Sequence, residues 1–135
     1  MRVVLDTNVL VAALRSSTGA SFRVLEQVGR GAFETVISTP LILEYEDVLS
    51  RLNQPIPPEM VAPVLDYLCL VGQPQSIHYL WRPYLRDPKD DHVLEVAFNA
   101  GASIVTFNAR DFRNATELGV EIWTPRTLLE KIGAL

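Results

Sequence analysis

The first eight residues constrain the fold of this chain more than any other stretch. Val3, Val4 and Leu5 form a short apolar run that is typical of a strand, and Asp6 ends it. A second apolar run over residues 9–14 follows at once and is typical of a helix. The chain therefore begins with a strand, a turn and a helix, with a carboxylate at the carboxyl end of the strand. In open α/β sheets, ligands bind at that edge.

Composition and charge exclude several classes of protein. The 135 residues are 48% hydrophobic and 21% charged, which suits a single globular domain spanning residues 1–135. The lone cysteine, Cys69, excludes an internal disulfide framework and suits the reducing cytoplasm. No apolar run approaches the roughly 18 residues of a membrane helix, and no signal peptide is evident. A net charge of −4 argues against nucleic-acid binding by a positive field, but not against binding through metal ions held by acids.

Hydrophobic patterning alternates strands with helices along the rest of the chain. Strands are predicted over residues 33–38, 76–80, 102–106 and 120–123. Helices are predicted over residues 21–28, 40–51, 59–70, about 90–100 and 125–132. This order predicts a mainly parallel sheet of four or five strands with helices on both faces. Right-handed crossovers then bring the carboxyl ends of the strands to one edge.

Further acids are expected at the same edge of the sheet. Glu44 lies at the border of an apolar helix stripe, so its carboxylate needs a partner, either an arginine or a metal. Asp90 heads the apolar face of the next long helix, and Asp111 follows the strand that ends near residue 106. With Asp6 these make four carboxylates, which repel one another unless they are protonated or bridged by cations. Oxygen ligands without a cluster of histidines or cysteines indicate Mg²⁺ or Mn²⁺.

Four motifs resemble those of the PIN-domain ribonucleases and occur in the same order. They are Val4-Leu5-Asp6-Thr7-Asn8, then Ser38-Thr39-Pro40 with Glu44-Tyr45 and Val48-Leu49, then residues 87–94, and finally Val105-Thr106-Phe107-Asn108 with Asp111-Phe112. Each motif alone is weak, but the four together are specific and cover nearly the whole chain. Within the family, the chain is most similar to the VapC-like toxins of bacterial toxin–antitoxin pairs.

The resemblance implies a Mg²⁺- or Mn²⁺-dependent endoribonuclease on a three-layer α/β/α sandwich, forming homodimers and bound by an antitoxin protein. It assigns the catalytic metal site to four acids: Asp6, Glu44, Asp90 and Asp111. Asp91 is the alternative third acid, and Asp90 is preferred because its helical face is the apolar one. Asn108 stands where many relatives carry another acid, so a second metal would bind weakly. Four polar residues would orient the acids, a metal-bound water or a phosphate oxygen: Thr7, Asn8, Thr106 and Asn108.

Basic residues flank the third and fourth motifs, and we hypothesise that some of them contact RNA phosphates: Arg82, Arg86, Lys89, Arg110 and Arg113. The alternative is that these residues form surface salt bridges, which contribute little to stability.

Two other functions are compatible with parts of the sequence. A PIN-fold module could bind RNA or protein without cleavage, although such a module would need no set of four acids. A phosphatase of the haloacid-dehalogenase type would also place an aspartate after its first strand, followed here by Ser38, Lys89 and Asp90-Asp91. That family has a second aspartate two residues after the first, where this chain has Asn8. Toxin and housekeeping RNA processing are not separated by the sequence.

Overall fold

A five-stranded sheet forms the centre of the computed structural model, which describes residues 1–51, 53, 55–77 and 91–135. The strand order is β3-β2-β1-β4-β5, and every pair of neighbours is parallel. The predicted parallel sheet is thereby confirmed. Its strands are β1 (Arg2–Leu5), β2 (Glu34–Ile37), β3 (Gln73–Pro74), β4 (Ser103–Val105) and β5 (Ile122–Trp123).

Helices flank the sheet and complete the predicted three-layer α/β/α sandwich. They are α1 (Thr7–Arg15), α2 (Ala20–Gln27), α3 (Thr39–Leu49), α4 (Val61–Val71), α5 (Asp91–Ala100) and α6 (Pro125–Lys131), with 3₁₀ segments at Pro58–Met60 and Ala109–Leu118. Helix α2 packs against both α1 and α6, and helix α3 packs against both α4 and α5. Within the described ranges, none of the helices has the length and apolar character needed to cross a bilayer.

The apolar run at the start of the chain forms the middle of the core. Val3, Val4 and Leu5 are buried in β1 and lie between β2 and β4. A strand covered on both faces has no polar side, which explains why this run is continuously apolar rather than alternating. Ile104 and Val105 of β4 are buried for the same reason.

The third strand lies earlier in the chain than the sequence pattern predicted. Gly72 ends α4 in an extended conformation, and residues 73–74 pair at once with β2. A side chain at Gly72 would meet the carbonyl oxygen of Leu68 at 2.5 Å, so this close turn requires glycine. Ser76 and Ile77, predicted to begin the strand, lie outside any strand, and residues 78–80 are outside the described part.

The topology brings several chain segments to the carboxyl edge of the sheet. Asp6 follows β1, Ser38 follows β2, and Thr106 follows β4. The helix α5 runs in the opposite direction to β1. Its last residue, Ala100, lies at the start of β1, where its carbonyl accepts a hydrogen bond from the Arg2 guanidinium at 3.1 Å. The first turn of α5, with Asp91, therefore begins at the same edge as Asp6.

Candidate functional site

Asp6 ends β1 and also caps α1, so its carboxylate is held in one orientation. It is 6% exposed. One carboxylate oxygen, Oδ1, accepts a hydrogen bond from the backbone N–H of Thr7 at 2.8 Å. The other, Oδ2, accepts from the hydroxyl of Thr106 at 2.7 Å. An aspartate at this N-cap position satisfies a helix donor and lies near the positive end of the helix dipole.

Thr106 connects the loop after β1 with the loop after β4. Its fully buried hydroxyl oxygen accepts from the Asn8 side-chain amide (3.4 Å) and from the backbone N–H of Asn108 (2.9 Å). The side-chain oxygen of Asn8 in turn accepts from the backbone N–H of Phe107 (3.4 Å). We call the hydrogen-bonded set the Asp6–Thr106 network: Asp6, Thr7, Asn8, Thr106 and Asn108.

The four polar residues expected to support the acids are all members of this network. Thr106 contributes its hydroxyl, Asn8 its side-chain amide and Thr7 its backbone N–H. Asn108, like Thr7, contributes its backbone N–H, and its side chain is on the exposed surface.

Two further predicted acids lie near enough to act electrostatically on Asp6. Burial raises the pKa of the Asp6 carboxyl above its ordinary value of 3.8, and the hydrogen bonds from Thr106 and Thr7 oppose that shift. The charges of Asp111 and Glu44 raise the pKa further. Glu44 is half-buried on α3, and Asp111 is exposed in the 3₁₀ segment after β4. The structure thus brings three of the predicted acids to one edge.

Tyr45 was not predicted as part of the site, yet it fixes the position of its neighbour Glu44. Its side chain is buried, and its hydroxyl donates a hydrogen bond to the backbone carbonyl of Leu5, the residue before Asp6. Burial, with a smaller contribution from the charge of Asp6, raises the pKa of the Tyr45 hydroxyl above its ordinary value. This contact anchors the middle of α3 to the end of β1. The sequence showed only an aromatic residue on an apolar stripe.

The third motif is described only from Asp91 onward. Asp91 is 1% exposed in the first turn of α5, and Glu95 follows one turn later on the same face at 5% exposed. Glu95 was not singled out from the sequence, although a glutamate within an otherwise apolar helix could have signalled it. The preferred third acid, Asp90, lies outside the described residues, as do Arg82, Arg86 and Lys89. Arg110 and Arg113 are exposed on either side of Asp111.

The donor set matches a hard divalent cation in chemistry, since it consists of carboxylate oxygens at one sheet edge. Each oxygen of Asp6 accepts one hydrogen bond and keeps a second lone pair for another partner. In the described part of the chain, no three acidic, histidine or cysteine side chains are grouped closely enough to hold an ion. Completing such a set would take a ligand from the third motif or an adjustment of Glu44 and Asp111 toward Asp6.

One protein family matches this chain, and several solved structures share its fold. A family model described as a PIN domain matches residues 2–110. No curated protein matches the chain. Similar solved structures include VapBC2 from Rickettsia felis bound to a promoter DNA fragment, with 18% identity, a TM-score of 0.60, and coverage of 91% of this chain and 99% of that one. VapBC-1 from nontypeable Haemophilus influenzae has 14% identity and a TM-score of 0.60, covering 93% and 99%. FitAcB from Neisseria gonorrhoeae has 13% identity and a TM-score of 0.55, covering 92% and 98%.

Proposed function

Because the chain belongs to the PIN-domain family, we propose that it is a metal-dependent endoribonuclease that hydrolyses RNA phosphodiester bonds. The observation that supports this most strongly is the buried Asp6 carboxylate, which two hydrogen bonds orient and whose pKa is raised by burial and, to a smaller extent, by the charges of Asp111 and Glu44. A buried carboxylate beside two other acids is costly without a cation, and a buried group whose pKa is shifted by specific neighbours is a candidate functional residue.

The proposed metal ligands are Asp6, Glu44, Asp111 and one acid of the third motif, either Asp90 or Asp91. A bound Mg²⁺ or Mn²⁺ would supply an activated water and neutralise charge on the phosphate. Asp6 offers a rigid carboxylate, since Thr7 and Thr106 hold both of its oxygens. Thr106 is a positioning residue that acts through Asp6. Such preorganisation matters because small displacements of a catalytic group lower the rate steeply.

The proposed biological role is that of the toxin in a toxin–antitoxin pair. The motif resemblance to VapC-like toxins and the fold shared with VapBC2 and VapBC-1 support it. In this role the chain would be a single domain over residues 1–135 that acts in the cytoplasm, forms a homodimer and is bound by an antitoxin. An upstream reading frame encoding a small DNA-binding protein would favour this role over housekeeping RNA processing.

The test is cleavage of a mixed panel of RNAs with Mg²⁺ or Mn²⁺, comparing the wild type with Asp6→Asn. Asp47→Asn is the matched control, because Asp47 is an exposed acid of α3 that pairs with Arg51. We expect metal-dependent cleavage by the wild type and by Asp47→Asn, and a loss of at least about 100-fold in Asp6→Asn, as for removal of a group needed in the transition state.

Cleavage that survives Asp6→Asn or persists in EDTA would contradict the proposed site. Binding of RNA by the wild type without any cleavage would instead favour a PIN-fold binding module. Thermal denaturation of all three proteins would show whether any loss reflects unfolding.

A further inference from the structure

Phe107 is an exposed aromatic residue between two members of the candidate site in the chain. Its side chain is 51% exposed, although it follows Thr106 and precedes Asn108, both members of the Asp6–Thr106 network. A large apolar ring that stays exposed to solvent does not contribute the free energy of its burial to folding. Exposed aromatic rings beside polar sites therefore often serve in recognition.

The backbone around Phe107 is held firmly, so the exposure does not result from a loose segment. Its own N–H donates to the side chain of Asn8 at 3.4 Å, and the N–H of Asn108 donates to Thr106 at 2.9 Å. Five residues later, Phe112 is completely buried and anchors the 3₁₀ segment. The chain after β4 thus buries Phe112 and exposes Phe107 on a backbone that is held by hydrogen bonds.

The surroundings of Phe107 match the chemistry of single-stranded RNA. The ring lies in sequence directly beside residues that orient Asp6, where the scissile phosphate would be held. Arg110 and Arg113 follow on the same segment and are exposed. Phosphate contacts from arginines combined with base stacking on aromatic rings are the usual means of binding single strands. Phenylalanine has no polar group, so it can stack on any base without reading its edge.

We propose that Phe107 is a nucleobase subsite, where a base adjacent to the scissile phosphate of RNA stacks on the ring. This inference rests on the proposed function and adds to it a binding residue outside the acids. It also predicts that binding at this position depends little on which base is present.

The experiment measures binding of a labelled single-stranded RNA of mixed sequence by fluorescence anisotropy, with cleavage blocked by Asp6→Asn in every protein. Phe107→Leu keeps apolar bulk and removes the aromatic face. Phe98→Leu is the matched control, because Phe98 is 43% exposed but lies near the end of α5, at the opposite edge of the sheet. We expect Phe107→Leu to weaken binding by about 5- to 150-fold, corresponding to loss of one stacked base. Phe98→Leu and Phe107→Tyr should leave binding unchanged.

Single abasic nucleotides in the RNA then locate the stacked base. One abasic position should weaken binding to the Phe107-containing protein and have no effect on Phe107→Leu, which is the non-additivity expected of a direct contact. Equal binding by Phe107→Leu and its parent would overturn the subsite and leave the proposed function intact. Failure of the parent to bind any RNA would overturn the proposed function and the subsite together. A dimer that becomes a monomer in Phe107→Leu, measured by light scattering, would reassign the ring to a protein interface and overturn the proposal.

Discussion

The carboxylate of Asp6 is in an environment that disfavours its charge. Burial and the neighbouring acids raise its pKa, and only the hydrogen bonds from Thr106 and Thr7 favour the ionised form. In the described part of the chain, Arg2, Arg51 and Arg126 form ion pairs with Glu34, Asp47 and Glu130, and Asp6 takes part in none of these three pairs. A cation bound at the proposed site would compensate the free energy cost of holding this charge, which would link metal binding to stability.

A pH-dependent stability difference follows for the metal-free protein. Since the pKa of Asp6 is raised in the folded state, its stabilising contribution is complete below the ordinary value of 3.8 and is lost as pH rises through the raised value. Asp6→Asn removes this titration. We therefore expect the melting temperature of Asp6→Asn minus that of the wild type, measured in EDTA, to increase from acid toward neutral pH. A difference that stays constant over this range would contradict the assigned shift.

At the level of single residues, the sequence was sufficient to predict a role where that role follows from the position of the residue between two elements. An aspartate between a strand and a helix is well placed to cap that helix, and Asp6 does so. The sequence pattern did not predict which residues of α5 face the core and which face solvent. The apolar Phe98 is exposed, whereas the charged Glu95 is buried. Nearly every position of that helix is apolar, so only its packing on the sheet decides which face turns inward.

At the level of elements, the hydrogen bond from the Tyr45 hydroxyl is the most direct polar contact described between α3 and β1. The hydroxyl satisfies the carbonyl of Leu5 at the end of β1, inside the core. The position of α3 relative to β1 therefore depends on this side chain, and the placement of Glu44 depends on it too. The predicted apolar stripe of α3 was sufficient to place the helix against the sheet, but it gave no sign of this hydrogen bond.

Tyr45→Phe should lower the free energy of unfolding by about 1–3 kcal/mol, because it leaves a buried carbonyl without its donor. The chain offers a matched control in Tyr67→Phe. The Tyr67 hydroxyl also donates to a backbone carbonyl, that of Val28 at 2.9 Å, but Tyr67 is exposed and water can replace it. Urea denaturation should show a clearly smaller loss for Tyr67→Phe. Equal losses in the two variants would show that the Tyr45 contact has no special weight.

At the level of the whole molecule, the parallel sheet and the meeting of its strand ends at one edge were predictable because they follow from the order of elements. Strands alternating with helices require crossovers, and right-handed crossovers place the strand ends together. The position of β3 was not predictable, since a two-residue strand is defined by its pairing with β2 and has no hydrophobic pattern of its own. Residues 78–90, which hold part of the third motif, are outside the described structure.

The overall charge of −4 means that RNA must be attracted by local groups rather than by the field of the whole protein. If Arg110 and Arg113 each contact one phosphate, replacing both with glutamine should reduce the salt slope of RNA binding by about 1.4, at roughly 0.7 per contact for a single strand. Arg51→Gln with Arg126→Gln is the control, since each arginine pairs with an acid four residues away in the chain. Identical slopes for the two double variants would exclude these phosphate contacts.

The hydrogen bond between Asp6 and Thr106 joins residues that are 100 positions apart. During translation at about 5–20 residues per second, roughly 5–20 seconds separate their synthesis. β1 also waits through this interval for β4, its neighbour on one side. A growing chain therefore carries Asp6 without the hydroxyl that orients it. If the chain has the proposed ribonuclease activity, its Asp6 site would be assembled only after residue 106 has been made, and the messenger and ribosome that produce it would be spared until then.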